Sequence, residues 1–209
     1  MTQKNTDIVN IILDALKNTS NEIPIGISNR HIHLSEVDLH KLFGAGCSLT
    51  KIKDLSQPGQ YACKETVIIC GQGGAIENVR VLGPVRPATQ LEILSGDSFK
   101  LGLRNIPVLT SGKTSEAPGG ITLIGPKGSV QMQDGVMVAQ RHIHMTKADA
   151  QRLQVHDGQV VSIQITGVRG GILHNTIVRA ADDMSLECHL DIEEANAMGI
   201  NSKSQVIII

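Results

Sequence analysis

Short runs rich in Val and Ile, separated by glycine-bearing turns, set the pattern of this chain. Such runs read as strands, and glycines between them as tight turns. The spacing predicts strands over 23–30, 65–70, 76–82, 121–125, 136–140, 159–166, 172–179, 186–190 and 205–209. Helices are short: 35–43, near 147–153, and around 192–198. One stretch has a different period. Over residues 5–17, Ile8, Ile12, Ala15 and Leu16 fall on one face with Ile11 beside them, and Asp7, Asn10, Asp14 and Lys17 stay polar. That is an amphipathic helix, followed by an Asn18–Asn21 linker. It either packs on its own domain or detaches to dock in a partner's groove. The fold class expected is mostly β with short capping helices.

Composition narrows the reading. The chain has 209 residues, no Trp, one Tyr (Tyr61) and two Phe (Phe43, Phe99), so its core is aliphatic and it has little to stack on bases. With 19 Lys and Arg against 20 Asp and Glu, there is no basic footprint for nucleic acid. The four cysteines (Cys47, Cys63, Cys70, Cys188) lack a Cys-x-x-Cys spacing and read as free thiols. No apolar run suffices for a membrane span, and the start lacks a secretion signal. A soluble, intracellular protein is expected.

The candidate chemistry lies in a repeat. Asn29-Arg30-His31-Ile32-His33-Leu34-Ser35 recurs as Gln140-Arg141-His142-Ile143-His144-Met145-Thr146. Each copy places a hydroxyl residue three positions before an acid (Ser35/Asp38, Thr146/Asp149), a helix N-cap pattern. His-x-His is therefore expected at the end of a strand, just ahead of a short helix. Alternate strand residues share a face, so His31 and His33 point one way, as do His142 and His144. Paired imidazoles suit a zinc ion.

A two-histidine site needs a further protein ligand. Glu92 is followed by Gly102-Leu103 at the same interval that separates His189 from Gly199-Ile200, and an acidic, helix-like segment lies between in each case. Glu92 and His189 thus read as one position in two copies. The resulting sets are His31, His33, Glu92 and His142, His144, His189. Each leaves an open coordination position, as catalytic zinc sites do. The spacing alone leaves open a single site with ligands mixed between copies, and a plain packing role for the histidines.

Other signals are weaker. Arg86, between Pro84 and Pro87, puts a guanidinium on a rigid turn and suits phosphate, although arginines near turns are usually just solvated. Gly71-Gln72-Gly73-Gly74 is a hairpin turn, because Ile76 occupies the third glycine position of a dinucleotide fingerprint. Gly112-Lys113-Thr114 is not a phosphate loop, because Pro107 stands at its first glycine and residues 110–120 form the least structured stretch. Cys188 adjoins His189 but faces away from it on a strand, so no acyl-cysteine intermediate is expected.

These segments, with Gln57-Pro58-Gly59-Gln60-Tyr61-Ala62, Asn78-Val79-Arg80-Val81-Leu82-Gly83-Pro84-Val85-Arg86 and His189-Leu190-Asp191-Ile192-Glu193-Glu194-Ala195-Asn196, resemble the PduL-type phosphotransacylases (phosphate propanoyltransferases) from about residue 23 onward. The resemblance implies an enzyme that interconverts acyl-CoA plus phosphate with acyl phosphate plus CoA. It implies two Zn2+ ions on the six residues above and phosphate on Arg86. It places Ser28, Asn29, Arg30, Arg80 and Asn196 near CoA. It also implies two β-barrels, with the first strand joining the barrel of the C-terminal half. The division is then 21–30 plus 140–209 for one barrel, 31–139 for the other, and 1–20 for the N-terminal helix and linker. In some members such a helix directs the enzyme into a bacterial microcompartment, which makes residues 5–17 a candidate for docking to a shell or core protein. A homo-oligomer is compatible with the sequence, and neither membrane nor nucleic acid is an expected partner. Two other readings use the same residues: a zinc-dependent thioester or amide hydrolase, and a zinc-binding structural or shell-associated protein.

Overall fold

The computed structural model describes residues 20–201 and 203–209, so the helix expected over 5–17 lies outside the described residues. The strands are β1 (Ile23–Ser28), β2 (His31–His33), β3 (Lys51–Asp54), β4 (Tyr61–Cys70), β5 (Ala75–Gly83), β6 (Gln90–Ile93), β7 (Val108–Leu109), β8 (Thr122–Ile124), β9 (Ser129–Gln131), β10 (Val136–Ala139), β11 (His142–Met145), β12 (Val160–Ile165), β13 (Gly171–Ala180), β14 (Glu187–Asp191) and β15 (Gln205–Ile208). The helices are α1 (Glu36–Phe43), α2 (Ser95–Leu101), α3 (Lys147–Arg152) and α4 (Ile192–Met198). None of the described helices is long and apolar enough to cross a membrane.

The mostly β class with short helices is what the pattern predicts. One unit is a closed barrel of six strands, β1-β14-β11-β13-β12-β15, completed because β1 pairs with both β14 and β15. The other is a curled nine-stranded sheet in the order β7-β10-β6-β2-β5-β4-β8-β9, with β3 beside β4. It is a half-barrel: its edges, β7 and β9, have two and three residues and do not pair with each other.

The repeat is real in space. β2 runs parallel to β5 and antiparallel to β6, and β11 runs parallel to β13 and antiparallel to β14. The strands that lead into them are exchanged. β1 precedes β2 in sequence but pairs with β14 in the barrel, whereas β10 precedes β11 but pairs with β6 in the open sheet. This corrects the expectation that His-x-His ends a continuous strand over 23–30 or 136–140. Each preceding strand stops early, and the chain changes sheet at the Asn-Arg or Gln-Arg pair. The arginine anchors each crossing: Arg30 Nε donates to Asp97 Oδ2 and Arg141 Nε to Glu194 Oε1, both at 2.7 Å.

The middle residue of each His-x-His sets which way the histidines face. Ile32 and Ile143 are completely buried, one in each aliphatic core, with Leu34, Val81 and Leu91 around the first and Met145, Val178 and Leu190 around the second. Burying an Ile side chain contributes about 1.5–3 kcal/mol. A one-residue slip would lose that and bury both imidazoles in its place. Register is therefore fixed by the isoleucines.

The helices start where the caps predict. The side chains of Ser35, Thr146 and Asp191 accept hydrogen bonds from the backbone N–H of Asp38, Asp149 and Glu194 at 3.2, 3.0 and 2.8 Å. α2 and α4 end alike, on Gly102 and Gly199 in the left-handed conformation (φ 69° and 64°). The Gly71–Gly74 hairpin is also present. A Cβ on Gly71 would lie 2.1 Å from the Leu101 carbonyl oxygen, so the glycine there lets the turn lie on the end of α2.

Candidate metal centre

A cavity of about 600 Å3 opens between the barrel and the curled sheet, and all six candidate ligands line it. The volume is that of an ordinary small-molecule site. Pairing supplies the geometry. His31 stands opposite Glu92 and His142 opposite His189, at equivalent positions of equivalent strand pairs. In each set of three, one ligand atom per residue lies within 4.8 Å of the others. The ligands group by copy and are not mixed.

Hydrogen bonds orient the rings in matching fashion. His31 Nδ1 meets the Asn29 carbonyl at 2.8 Å, and His142 Nδ1 meets that of Gln140 at the same distance. Each ring thereby commits Nδ1–H to the backbone and keeps the Nε2 lone pair for the cavity. His31 Nε2 is 3.4 Å from Glu92 Oε2, and His142 Nε2 is 3.0 Å from His144 Nε2. His33, 3% exposed, has a buried Nδ1 without a hydrogen-bond partner among the described residues. A buried polar atom without a partner costs about 1–3 kcal/mol. Side chains of three ligating types converging within 4.8 Å in each set are what a cation would satisfy, so both sets fit a zinc-type metal.

The electrostatics agree. Burial, with His31 and Arg86 nearby, pushes His33 down to about 3. Burial and His189 push His142 to about 4, and burial with His142 and His189 pushes His144 to about 2. All three are neutral at pH 7, the form that ligates. Burial pushes the Glu92 carboxyl up, but His31, His33, a Ser111 hydrogen bond and His142 together outweigh it and hold the group below the ordinary carboxylate range. The charge of Glu92 also reaches His142 in the other set.

Arg86 is half-buried beside this cavity, and its Nη1 donates to Ser111 Oγ at 3.2 Å. Burial lowers its basicity and Glu92 partly restores it. It stays charged, held by its backbone N–H to the Leu34 carbonyl at 2.9 Å. Ser28, Asn29, Arg30 and Arg80 line the cavity as well. The hydroxyl of Ser28 donates to the Leu190 carbonyl, and Arg80 Nη1 donates to the carbonyls of Cys63 and Lys64 at 2.9 and 3.0 Å. Asn196 is exposed on α4 and is not part of the cavity wall.

Two groups in this cavity, Arg179 and Glu187, and the buried Gln90 beside Glu92 are not apparent from the sequence reading. Arg179 lines the cavity and, among the described residues, has no ion pair. Nothing local marks it, because its place opposite His144 depends on the pairing of β11 with β13. Gln90 and Glu187 stand two residues before Glu92 and His189 on the same strand faces. Strand alternation applied to the third ligands would have found both.

Comparison with known proteins finds one family across most of the chain. A family model described as phosphate propanoyltransferase matches residues 24–201. Curated proteins named phosphate propanoyltransferase are similar over most of their length. The one from Thermotoga maritima is 50% identical across 90% of this chain and 89% of its own. The one from Rhodobacter capsulatus is 49% identical across 88% and 85%. A third, from Rhodopseudomonas palustris, is 44% identical across 90% and 82%.

Proposed function

The chain belongs to the phosphate propanoyltransferase family, and on that premise we propose how its cavity performs acyl transfer. The substrates are a short-chain acyl-CoA, propionyl-CoA or acetyl-CoA, and inorganic phosphate. A phosphate oxygen forms a bond to the thioester carbonyl carbon, the carbon–sulfur bond breaks, and CoA leaves as acyl phosphate forms. The observation behind this reading is the pairing of two equivalent three-ligand sets, with Arg86 beside them, in one cavity.

His31, His33 and Glu92 would hold one zinc ion, and His142, His144 and His189 the other. Zinc supplies a Lewis acid for carbonyl or phosphoryl oxygen and a favourable partner for thiolate sulfur. Arg86 binds phosphate and offsets its charge, so that positioning and electrostatics provide most of the gain. Phosphate is nucleophilic at neutral pH, so the chain needs no general base. Ser28, Asn29, Arg30 and Arg80 serve CoA from the cavity wall, with Asn196 at its periphery. Formation of acyl phosphate from propionyl-CoA and phosphate tests the reading, and CoA release without phosphate would refute it.

The strand exchange supports grouping 21–30 with 140–209 as one unit and 31–139 as the other. The amphipathic pattern of residues 5–17 supports a role for this segment in docking to a microcompartment shell or core protein rather than packing on its own domain. Fusion of that segment to a fluorescent protein tests this role, and diffuse fluorescence in a compartment-forming cell would refute it.

A further inference from the structure

Each third ligand has a polar partner two residues before it on the same strand face. Gln90 and Glu187 are equivalent by register, since Gln90 stands opposite His33 and Glu187 opposite His144. Gln90 Nε2 donates to Glu92 Oε1 at 2.6 Å and to Ser111 Oγ at 2.8 Å, and its own oxygen accepts from Gly112 N at 2.7 Å. The second copy keeps the arrangement and reverses its polarity. Glu187 Oε2 lies 2.5 Å from His189 Nε2 and also accepts from the Ser56 hydroxyl. Where the ligand is a carboxylate, its neighbour is a neutral donor. Where the ligand is an imidazole, its neighbour is a carboxylate acceptor. Each set therefore contains one carboxylate, Glu92 among the three candidate ligands of the first and Glu187 hydrogen-bonded to His189 in the second.

The surroundings of Glu187 are built to hold it. Ser56 comes from the β3–β4 loop of the other sheet. Its neighbour Gln57 fixes that loop by donating from Nε2 to the Ser185 carbonyl at 3.0 Å and accepting from Ser185 N at 3.2 Å. On the far side lies Gly26 of β1, where a Cβ would sit 2.7 Å from Glu187 Cδ and 2.8 Å from Oε2. The backbone at Gly26 is not left-handed, so the absence of a side chain there serves space and not conformation.

We propose that Glu187 is the positioning residue of the second metal site, accepting the Nε2 proton of His189 so as to fix that ring's orientation and the tautomer that leaves the Nδ1 lone pair for the metal. This rests on the reading that both three-residue sets hold metal. A carboxylate behind a ligating histidine raises its basicity, and losing such a partner typically costs about 10–100-fold in metal affinity. Because Ser56 reaches the same carboxylate, the site in the barrel is completed by the loop of the opposite sheet.

The test is metal binding, independent of turnover. Zinc is titrated against a chromophoric chelator, and the visible spectrum is recorded after cobalt substitution, for wild type, His142→Ala, Glu187→Ala, Glu187→Gln and Gly26→Ala. Wild type should bind two ions. Glu187→Ala should weaken one ion by about 10–100-fold, the same ion that His142→Ala loses, and should alter only that ion's cobalt spectrum. Glu187→Gln, whose amide oxygen still accepts from His189, should restore much of the affinity. Gly26→Ala changes neither a ligand nor Glu187 itself but displaces the Glu187 carboxylate, so it should reproduce the loss even if Glu187→Ala fails to fold. Two ions at wild-type affinity with an unchanged cobalt spectrum in Glu187→Ala or Gly26→Ala would overturn the proposal. Equal weakening of both ions would do the same. A wild-type protein that binds no metal would instead remove the reading beneath it.

Discussion

His31 faces Glu92 across an antiparallel strand pair, with Nε2 3.4 Å from Oε2. The same register position in the barrel joins His142 to His189. Two sets follow from this pairing, each with its three candidate ligands on one pair of strands. His142→Ala should therefore remove one zinc ion and leave the other, and Glu92→Ala should remove the other alone. Metal analysis after gel filtration reads this directly. Loss of both ions from either variant would mean a single shared cluster.

Among the described residues, the Arg86 guanidinium hydrogen-bonds no candidate ligand and donates to Ser111. Arg86→Ala should thus leave zinc content unchanged while lowering turnover by at least the order of 10²–10³-fold typical of a lost electrostatic contact to reacting oxygens. Steady-state kinetics beside metal analysis separates the two. Near-normal turnover would exclude Arg86 from phosphate binding.

Acid should destabilise the metal-stripped protein. His33, His142 and His144 have native values near 3, 4 and 2, against 6.5 ordinarily. Below pH 6.5 the unfolded chain takes up protons that the native protein refuses, so stability rises with pH in this window. The contribution is complete above 6.5 and is lost as pH falls toward 4 and below. Urea unfolding of chelator-treated protein should show midpoints that fall steadily between about pH 7 and about pH 5. A flat or rising midpoint would contradict the burial of neutral imidazoles.

Cys188 is fully buried, and burial pushes its thiol up to about 12. It packs in the barrel core beside Ile143, on the strand face opposite His189. An alkylating reagent should leave Cys188 unmodified in the native protein, and Cys188→Ala should retain turnover. A trapped acyl adduct at this residue would contradict direct attack by phosphate.

Much of the site is legible in the sequence because it is written twice. The Arg-His-Ile-His duplication fixes four of the six candidate ligands, and equal spacing to Gly102 and Gly199 pairs Glu92 with His189. Caps and turns are local chemistry, so Ser35, Thr146 and the Gly71–Gly74 hairpin are readable too. The crossing of β1 and β10 into opposite sheets is not, because no local signal shows which sheet a strand joins. β3 is missed for a different reason: all four residues of Lys51–Asp54 are exposed, so no buried face marks it. Arg179 is invisible for the first reason and Gln90 and Glu187 are not. Their positions follow from the strand alternation that placed the histidines.

The most direct measurement is acyl phosphate formation from propionyl-CoA, trapped as the hydroxamate, with and without phosphate, after chelation, and after zinc is restored. The account predicts product only with phosphate, its loss with chelator, and its return with zinc in proportion to ions bound. CoA release that needs no phosphate, or phosphate-dependent transfer that survives complete removal of metal, would contradict it.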